Sequence, residues 1–293
     1  MHDEHPPQSL SAQASPPDGS GVSNRPKISE LISSRYDSPP GEPARKTVII
    51  CSAPRTGSYE LCRFLLAAGI GVGHEYLHVE FSRQLAERWG LHHPLTDSGL
   101  GPYIDALRRR RARGGVFVTK LQYPDFQRRL RNRHGQALFE GAVIVHLFRP
   151  DVSAQVASWR RAWTTNVWDY ADKAGPQALP PPTNGDLQRE AERIRALVGQ
   201  DAGFRQVFAM LGIHPLFLTT DDLFESPRRA IARIAAALDV PVDKAGLKTA
   251  MAASAPYSHP EQEALAGFDF SRAFKPLVFG RADPQTTSSD EEQ

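Results

Sequence analysis

The sequence contains few cysteines, no long apolar segment and no large excess of either charge. Only two cysteines, Cys51 and Cys62, occur among 293 residues. Two free, buried thiols in a reducing compartment fit this count better than a disulfide framework does. The N-terminal segment lacks the basic and apolar regions of a signal peptide, and no apolar run is long enough to cross a membrane. We therefore expect a cytoplasmic protein.

The charges are nearly balanced, with a formal net charge of +2, so no overall basic field indicates a nucleic-acid partner. The densest basic run consists of residues 108–111 with Arg113, and it precedes Gly114 and Gly115. Arginines in a last helical turn complement the helix dipole, and glycines end helices. The run therefore predicts a solvated helix end, and we expect no nucleic-acid partner.

Histidines are the only residues that suggest a metal site, and the sequence lacks the further ligands that such a site requires. His74, His78, His92 and His93 lie close together in sequence, but no cysteine pair or His-Glu-x-x-His spacing accompanies them. We expect no metal.

Composition divides the chain into three parts. Residues 1–45 and 283–293 are rich in small and polar residues and in proline, with few large apolar side chains. Such segments bury too little apolar surface to offset the entropy lost on ordering. The sequence predicts a disordered tail at each end and a single domain at residues 46–282.

Within this domain, short apolar runs alternate with helical patterns. Strands are predicted at residues 47–51, 115–119, 142–148 and 215–218. Helices are predicted at residues 57–68, 80–89, 101–111, 123–133, 151–163, 186–211 and 221–238. This alternation indicates an α/β fold of three layers, a parallel sheet flanked by helices, with ligands at the carboxyl ends of the strands.

The first predicted strand runs into a turn of small residues at positions 52–58, and a helix begins near Gly57. Such a turn lets backbone N–H groups converge at the positive end of the helix dipole, where anions bind. An ATP- or GTP-binding loop of the Walker type would carry Gly-Lys-Ser/Thr at its end, whereas here the cation is Arg55, inside the turn. The turn therefore predicts an anion site without the usual triphosphate-binding residues.

A second anion-binding pattern follows the third predicted strand. Arg149 ends the strand, Pro150 and Asp151 begin a helix, and Ser158 lies about two turns along it on the face of Asp151. A guanidinium group and a hydroxyl suit a phosphate monoester. Alternatively, Arg149 pairs with a carboxylate and Ser158 is an ordinary surface hydroxyl.

Together, these segments resemble the bacterial trehalose sulfotransferase family, which uses 3'-phosphoadenosine 5'-phosphosulfate (PAPS). The resemblance is carried by Ser52-Ala53-Pro54-Arg55-Thr56-Gly57-Ser58, by Phe148-Arg149-Pro150-Asp151, and by Gln155, Ser158 and Trp159. Two further matches are the strand at residues 115–121, with Lys120, and Glu75-Tyr76-Leu77, in which Leu77 replaces an aromatic residue. The resemblance covers residues 47–168 and implies a P-loop-like nucleotide-binding fold.

The resemblance also implies roles for individual residues. In that family the first loop binds the 5'-phosphosulfate and the Arg-Ser element binds the 3'-phosphate. The implied donor-binding residues are Ser52, Pro54, Arg55, Thr56, Gly57, Ser58, Tyr59, Arg149, Ser158 and Trp159. For Trp159, packing in a stripe with Trp163 and Trp168 is the alternative to stacking on the ligand.

Three catalytic residues are expected. Arg55 and Lys120 would stabilise the leaving group, and Glu75 would be the general base, a role that suits a partly buried carboxylate with a raised pKa. His74 or His78 is the alternative base.

The implied activity is transfer of a sulfuryl group from PAPS, without a metal, to a hydroxyl of a small acceptor such as a carbohydrate or glycolipid. The family includes homodimers, so a second copy of the chain is a candidate partner. Two other functions stay open at this point, a P-loop kinase-like phosphotransferase and a non-catalytic nucleotide-binding module. Strict magnesium dependence would favour the kinase.

Overall fold

A computed structural model describes residues 26–92, 94, 96–169 and 184–254 of the chain. Its sheet has four parallel strands in the order β2-β1-β3-β4. The strands are β1 (Lys46–Cys51), β2 (Val116–Leu121), β3 (Val143–Phe148) and β4 (Leu216–Thr219). All four were predicted, with boundaries that differ by at most two residues. The parallel arrangement brings the carboxyl ends of all four strands to one edge of the sheet.

A short 3-10 helix spans Ser34–Tyr36, and the α-helices of the described residues lie before, between and after the strands. They are α1 (Ile28–Leu31), α2 (Ser58–Ala67), α3 (Val79–Arg88), α4 (Asp97–Arg110), α5 (Tyr123–Leu130), α6 (Arg133–Phe139), α7 (Val152–Thr165), α8 (Asn184–Leu211), α9 (Thr220–Glu225), α10 (Pro227–Leu238) and α11 (Lys244–Ala253).

The two faces of β1 pack against different helices, as the alternation of side chains along a strand requires. Val48 and Ile50 face a core cluster that includes residues of α2, α10 and α11. Ile49 and Cys51 face a second cluster that includes residues of α3, α4, α5 and α8. The three-layer α/β fold predicted from the sequence is therefore confirmed.

Two predicted helices are each divided in the structure. The helix predicted at 123–133 is interrupted because Asn132 caps a new helix, accepting from the N–H of His134 at 2.8 Å. The helix predicted at 221–238 is interrupted at Ser226, and Pro227 begins α10, where its missing N–H costs no hydrogen bond. In addition, α1, α6 and α11 were not predicted as separate helices.

Residues 26–45 were assigned to the N-terminal tail, yet in the structure they pack against the domain. Leu31 is fully buried, and the guanidinium of Arg111 donates to the carbonyl of Leu31 at 2.6 Å and of Ser33 at 3.1 Å. Arg111 is itself fully buried and pairs with Asp37 at 3.1 Å. The prediction of a solvated helix end is therefore wrong for Arg111, because its partners are backbone groups of a segment remote in sequence. Residues 1–25 and 255–293 lie outside the described part of the chain.

Cys51 and Cys62 are both buried and free, as predicted. Among the described residues, no helix is long and apolar enough to span a membrane. The same residues contain no group of three or more His, Cys, Asp or Glu placed to hold a metal ion, and His93 is not among them.

Candidate active site

The turn between β1 and α2 has the backbone shape predicted for an anion cradle. Arg55 has φ 65° and Gly57 has φ 83°, both in the left-handed region. Gly57 is the N-cap residue of α2. A Cβ at Gly57 would lie 2.9 Å from a ring carbon of Phe224, so glycine satisfies both the backbone conformation and the close packing.

This turn presents hydrogen-bond donors that the described residues do not use. The N–H groups of Thr56, Gly57 and Ser58 precede or begin α2, where a helix offers no internal acceptor. None of them donates a hydrogen bond to another described residue. The Ser52 hydroxyl is also fully buried without a partner in the described structure. The cradle therefore fits a phosphate group, which accepts several hydrogen bonds at once.

The second anion element lies at the end of β3, the strand next to β1. Asp151 caps α7 by accepting from the N–H of Ala154 at 2.8 Å. Arg149 and Ser158 are both buried, so the reading of Ser158 as a surface hydroxyl is wrong. Because β1 and β3 are adjacent and parallel, the two elements share one edge of the sheet.

Arg55 joins the two elements directly. Its Nε donates to Oγ of Ser158 at 3.0 Å, and its Nη1 donates to the carbonyl of Trp168 at 2.6 Å. The resemblance assigns Arg55 to the first loop and Ser158 to the second element. The structure brings the two side chains together, so the two predicted anion sites lie side by side.

Two side chains that were not among the predicted site residues fix the relative position of the loops. Gln155 Nε2 donates to the carbonyl of Pro54 at 2.6 Å. The buried hydroxyl of Thr220 lies 3.0 Å from the carbonyl of Thr56 and 3.3 Å from that of Phe148. A signal for Thr220 was present in the sequence, since it lies two positions after a predicted strand and carries a donor at the carboxyl edge.

Glu75 and Lys120 form a buried ion pair. Lys120 Nζ lies 2.5 Å from Glu75 Oε1, and the side chains are 5% and 11% exposed. Gln122 Nε2 donates to the same Oε1 at 2.9 Å, and the ring centroid of Tyr59 is 3.8 Å from Lys120 Nζ. The chain positions the pair through the backbone, because the N–H of Lys120 donates to the carbonyl of His74 at 3.0 Å.

The expectation of a raised pKa at Glu75 is wrong for this arrangement. Burial by itself raises the pKa of Glu75. The charge of Lys120, hydrogen bonds from Lys120 and Gln122, and the charge of His78 outweigh burial and lower this pKa from 4.5 to about 2. Glu75 is therefore ionised and neutralised by Lys120, and it is a weak base while this pair persists.

The two histidines beside Glu75 differ in their access to the site. His74 is fully buried, and its ring packs against those of Tyr59, Tyr76 and Phe81. Burial lowers the pKa of His74 to about 3, against the attraction of Glu75. His74 is therefore neutral and out of reach of an acceptor, whereas His78 is half-buried and remains the alternative base.

A second buried carboxylate, Asp125, lies in the first turn of α5 near Glu75 and was not predicted. Burial raises the pKa of Asp125, and the charge of Glu75 adds to the increase although His78 opposes it. Its location after the carboxyl end of β2 was the available signal.

Trp159 packs beside the first loop. It is half-buried and lies against a small core cluster that includes Ala53, Val156 and Ile194. Trp163 and Trp168 contact one another edge to face, with ring centroids 5.5 Å apart. All three tryptophans therefore have packing partners within the chain.

The sequence and the fold were compared with those of known proteins. The sequence model of a family described as Stf0 sulphotransferase matches residues 47–258. A solved structure titled "Sulfotransferase Domain from the Curacin Biosynthetic Pathway" is 15% identical, with a TM-score of 0.41, over 84% of this chain and 95% of that one. Another, "Sulfotransferase Domain from the Synechococcus PCC 7002 Olefin Synthase", is 18% identical, with a TM-score of 0.42, over 84% and 92%. No curated protein matches the chain. The family match covers the residues of both predicted anion-binding loops and of the Glu75–Lys120 pair.

Proposed function

Because the chain belongs to the Stf0 sulphotransferase family, it is a sulfotransferase, and we propose that its donor is PAPS and its acceptor a hydroxyl of a small carbohydrate or glycolipid. The observation that carries the donor assignment is the hydrogen bond of 3.0 Å between Arg55 and Ser158. It joins the two predicted anion-binding loops at the ends of β1 and β3. Such a pair of loops suits a nucleoside with phosphates at both of its ends.

In this proposal the chain binds the donor at both ends. The N–H groups of Thr56, Gly57 and Ser58 hold the 5'-phosphate with Arg55. Arg149 and Ser158 hold the 3'-phosphate, for which a guanidinium fork and a hydroxyl are suitable donors. Ser52, Pro54, Tyr59 and Trp159 complete the donor-binding set. When bound, the donor supplies an activated sulfuryl group.

The remaining residues act on the transfer itself. Sulfuryl transfer requires that a proton leave the acceptor hydroxyl and that negative charge be stabilised on the departing oxygen. Glu75 accepts the proton. Lys120 and Arg55 stabilise the negative charge, and electrostatic stabilisation of this kind is usually the largest catalytic term.

The hydrogen-bond acceptors at this end of the site support a hydroxylated acceptor. Glu75 and Asp125 are both buried carboxylates, and ionised carboxylates only accept hydrogen bonds, which suits hydroxyl groups. The two free cysteines favour a reducing compartment, so the proposal places the reaction in the cytoplasm.

The donor assignment is tested by calorimetric titration with 3'-phosphoadenosine 5'-phosphate (PAP), beside ATP with magnesium. We expect PAP to bind the wild-type protein, and Arg149→Ala to weaken binding about 10- to 100-fold, because a hydrogen bond to a charged group contributes about 1.5–3 kcal/mol. Arg228→Ala, an exposed arginine on α10, is the matched control and should bind as wild type does.

The same titration separates the proposal from a kinase. Magnesium-dependent binding of ATP without binding of PAP would favour a phosphotransferase. An Arg149→Ala protein that folds normally and binds PAP with wild-type affinity would contradict the assignment of the 3'-phosphate site.

A further inference from the structure

Glu75 and Lys120 are paired with each other in this structure. Both side chains are buried, and Glu75 Oε1 lies 2.5 Å from Lys120 Nζ. The proposed base is thus neutralised by the cation that is proposed to act on the leaving oxygen. Before transfer the two charges have to separate, and separation leaves a buried carboxylate that must keep its orientation.

Gln122 is the second group that holds this carboxylate. Its Nε2 donates at 2.9 Å to Oε1, the same oxygen that Lys120 contacts. Among the described residues no hydrogen bond reaches Oε2 of Glu75. The carboxylate is therefore fixed through one oxygen and has the other free for an acceptor hydroxyl.

Lys120 also has a second contact, one that leaves its charge in place. Its ammonium lies 3.8 Å from the ring centroid of Tyr59, a cation–π distance. An aromatic ring attracts the ammonium without removing its positive charge. Lys120 can therefore exchange Glu75 for an anionic group while it remains over the ring.

We propose that Gln122 is a positioning residue that holds the Glu75 carboxylate in place when Lys120 leaves it for the donor. The inference rests on the proposed function. The anionic end of the donor competes with Glu75 for Lys120. When Lys120 moves away, Glu75 keeps the bond from Gln122 and presents Oε2 to the acceptor.

This exchange also makes Glu75 a stronger base when it is needed. Burial raises the pKa of Glu75, and Lys120 is the largest of the opposing influences. Removal of Lys120 therefore raises the pKa of Glu75 from about 2. The other titratable groups near Glu75 are Tyr59, Cys62, His74, His78 and Asp125.

The test is a pH titration of Glu75 by NMR in protein with ¹³C-labelled glutamate side chains, free and with PAP bound. The Glu75 signal is assigned by its loss in Glu75→Gln. In wild-type protein PAP should raise the midpoint of Glu75. In Gln122→Ala the midpoint should be higher than in wild type in both states, because the hydrogen bond that favours the charged form is absent.

Gln127→Ala is the matched control, because Gln127 is an exposed glutamine on α5, the helix that begins directly after Gln122. Its amide donates to the Tyr123 hydroxyl at 3.1 Å. This variant should titrate as wild type does. PAP affinity, measured in parallel, should agree within twofold among wild type, Gln122→Ala and Gln127→Ala.

Three results would overturn the inference in distinguishable ways. An unchanged midpoint in Gln122→Ala would mean that Gln122 does not hold Glu75. Bound PAP that leaves the wild-type midpoint unchanged would mean that Lys120 does not change partners, while the donor site stands. Failure of PAP to bind the wild-type protein would overturn the proposed donor and, with it, the exchange.

Discussion

Burial acts on Cys51, His74 and Glu75 in the same direction, towards the uncharged form, but its outcome differs with the neighbours. The pKa of Cys51 is raised by burial alone, so the thiol stays protonated and inert. The pKa of His74 falls to about 3, because burial outweighs the attraction of Glu75. For Glu75 the pKa falls to about 2, since burial is outweighed by Lys120 and the hydrogen bonds that accompany it. The ionised state of Glu75 therefore depends mainly on its ion pair with Lys120.

Replacing Glu75 by glutamine tests that dependence. Glu75→Gln leaves Lys120 buried without its counterion, so we expect the free energy of unfolding at pH 7 to fall by about 3 kcal/mol. Sulfuryl transfer should be lost while PAP still binds, because Glu75 is not part of the proposed donor site. Urea unfolding and calorimetry measure the two effects.

The stability difference should also depend on pH. The pKa of Glu75 is lower in the folded protein, about 2, than its ordinary value of 4.5. The ion pair therefore stabilises the fold fully above pH 4.5, and this contribution declines as the pH falls towards 2. The difference in free energy of unfolding between wild type and Glu75→Gln should therefore become smaller between pH 4.5 and pH 2. Glu87→Gln, at an exposed position of α3, is the control, and an equal loss of stability there would contradict the account.

At the scale of elements, the carboxyl ends of β1 and β3 determine where the proposed donor site lies. The strands could be predicted because each is a short apolar run between helical patterns, and parallel strands bring the following loops to one edge. The bond between Arg55 and Ser158 joins residues 103 positions apart, and that between Gln122 and Glu75 joins residues 47 apart. Neither leaves a periodic pattern in the sequence, so the loops could be predicted and their contacts could not.

Gln122 is a partial exception. It lies two positions after Lys120, just past the end of β2, and its backbone is still extended. Side chains two apart in extended backbone point in the same direction, so a strand predicted to continue to residue 122 would have placed Gln122 beside Lys120. The sequence does not predict the position of Glu75. Glu75 lies in an irregular segment that is placed beside β2 by an isolated parallel bridge between His74 and Thr119.

The turn before α2 gives a prediction at this scale. Gly57→Ala adds a Cβ at φ 83°, 2.9 Å from the Phe224 ring, so the turn has to shift. We expect a stability loss of about 1–2 kcal/mol from the left-handed conformation. We also expect PAP affinity to fall at least tenfold, because the N–H groups of the cradle move with the turn.

Gly69→Ala is the matched control for this prediction. Gly69 has φ 78°, and a Cβ there meets no atom within 4 Å. It should lose similar stability in thermal unfolding but keep wild-type affinity for PAP in calorimetry. Equal PAP affinity in both variants would contradict the role of the turn as an anion cradle.

At the scale of the whole molecule, Arg63 on α2 connects segments that are distant in sequence. Its Nε donates to the carbonyl of Pro26 at 2.7 Å, and its Nη1 pairs with Glu60 at 3.0 Å. Its Nη2 pairs with Asp169, which also accepts from the N–H of Ile28 at 3.0 Å. The first described residues, the segment after α7 and the helix of the anion cradle therefore share one buried polar network.

The network explains why composition assigned residues 26–45 to the N-terminal tail although they pack against the domain. Residues 26–45 contain few large apolar side chains, so composition alone predicts disorder. In the structure they are held by arginines of the domain, Arg63 at Pro26 and Arg111 at Leu31, whose acceptors are backbone carbonyls. Every residue carries a carbonyl, so such contacts have no signature in the sequence.

Arg63→Met tests whether the network stabilises the whole domain. The substitution leaves Glu60 and Asp169, both buried, without their shared cation, so we expect the free energy of unfolding to fall by about 3–5 kcal/mol in urea. Arg109→Met is the control, because the pair of Arg109 with Asp105 is solvent-exposed and should matter little. PAP affinity should also weaken in Arg63→Met, since Asp169 follows Trp168, whose carbonyl accepts from Arg55 at 2.6 Å. If Arg63→Met unfolds at the same urea concentration as Arg109→Met, the segments joined at Arg63 do not unfold as one unit with the sheet.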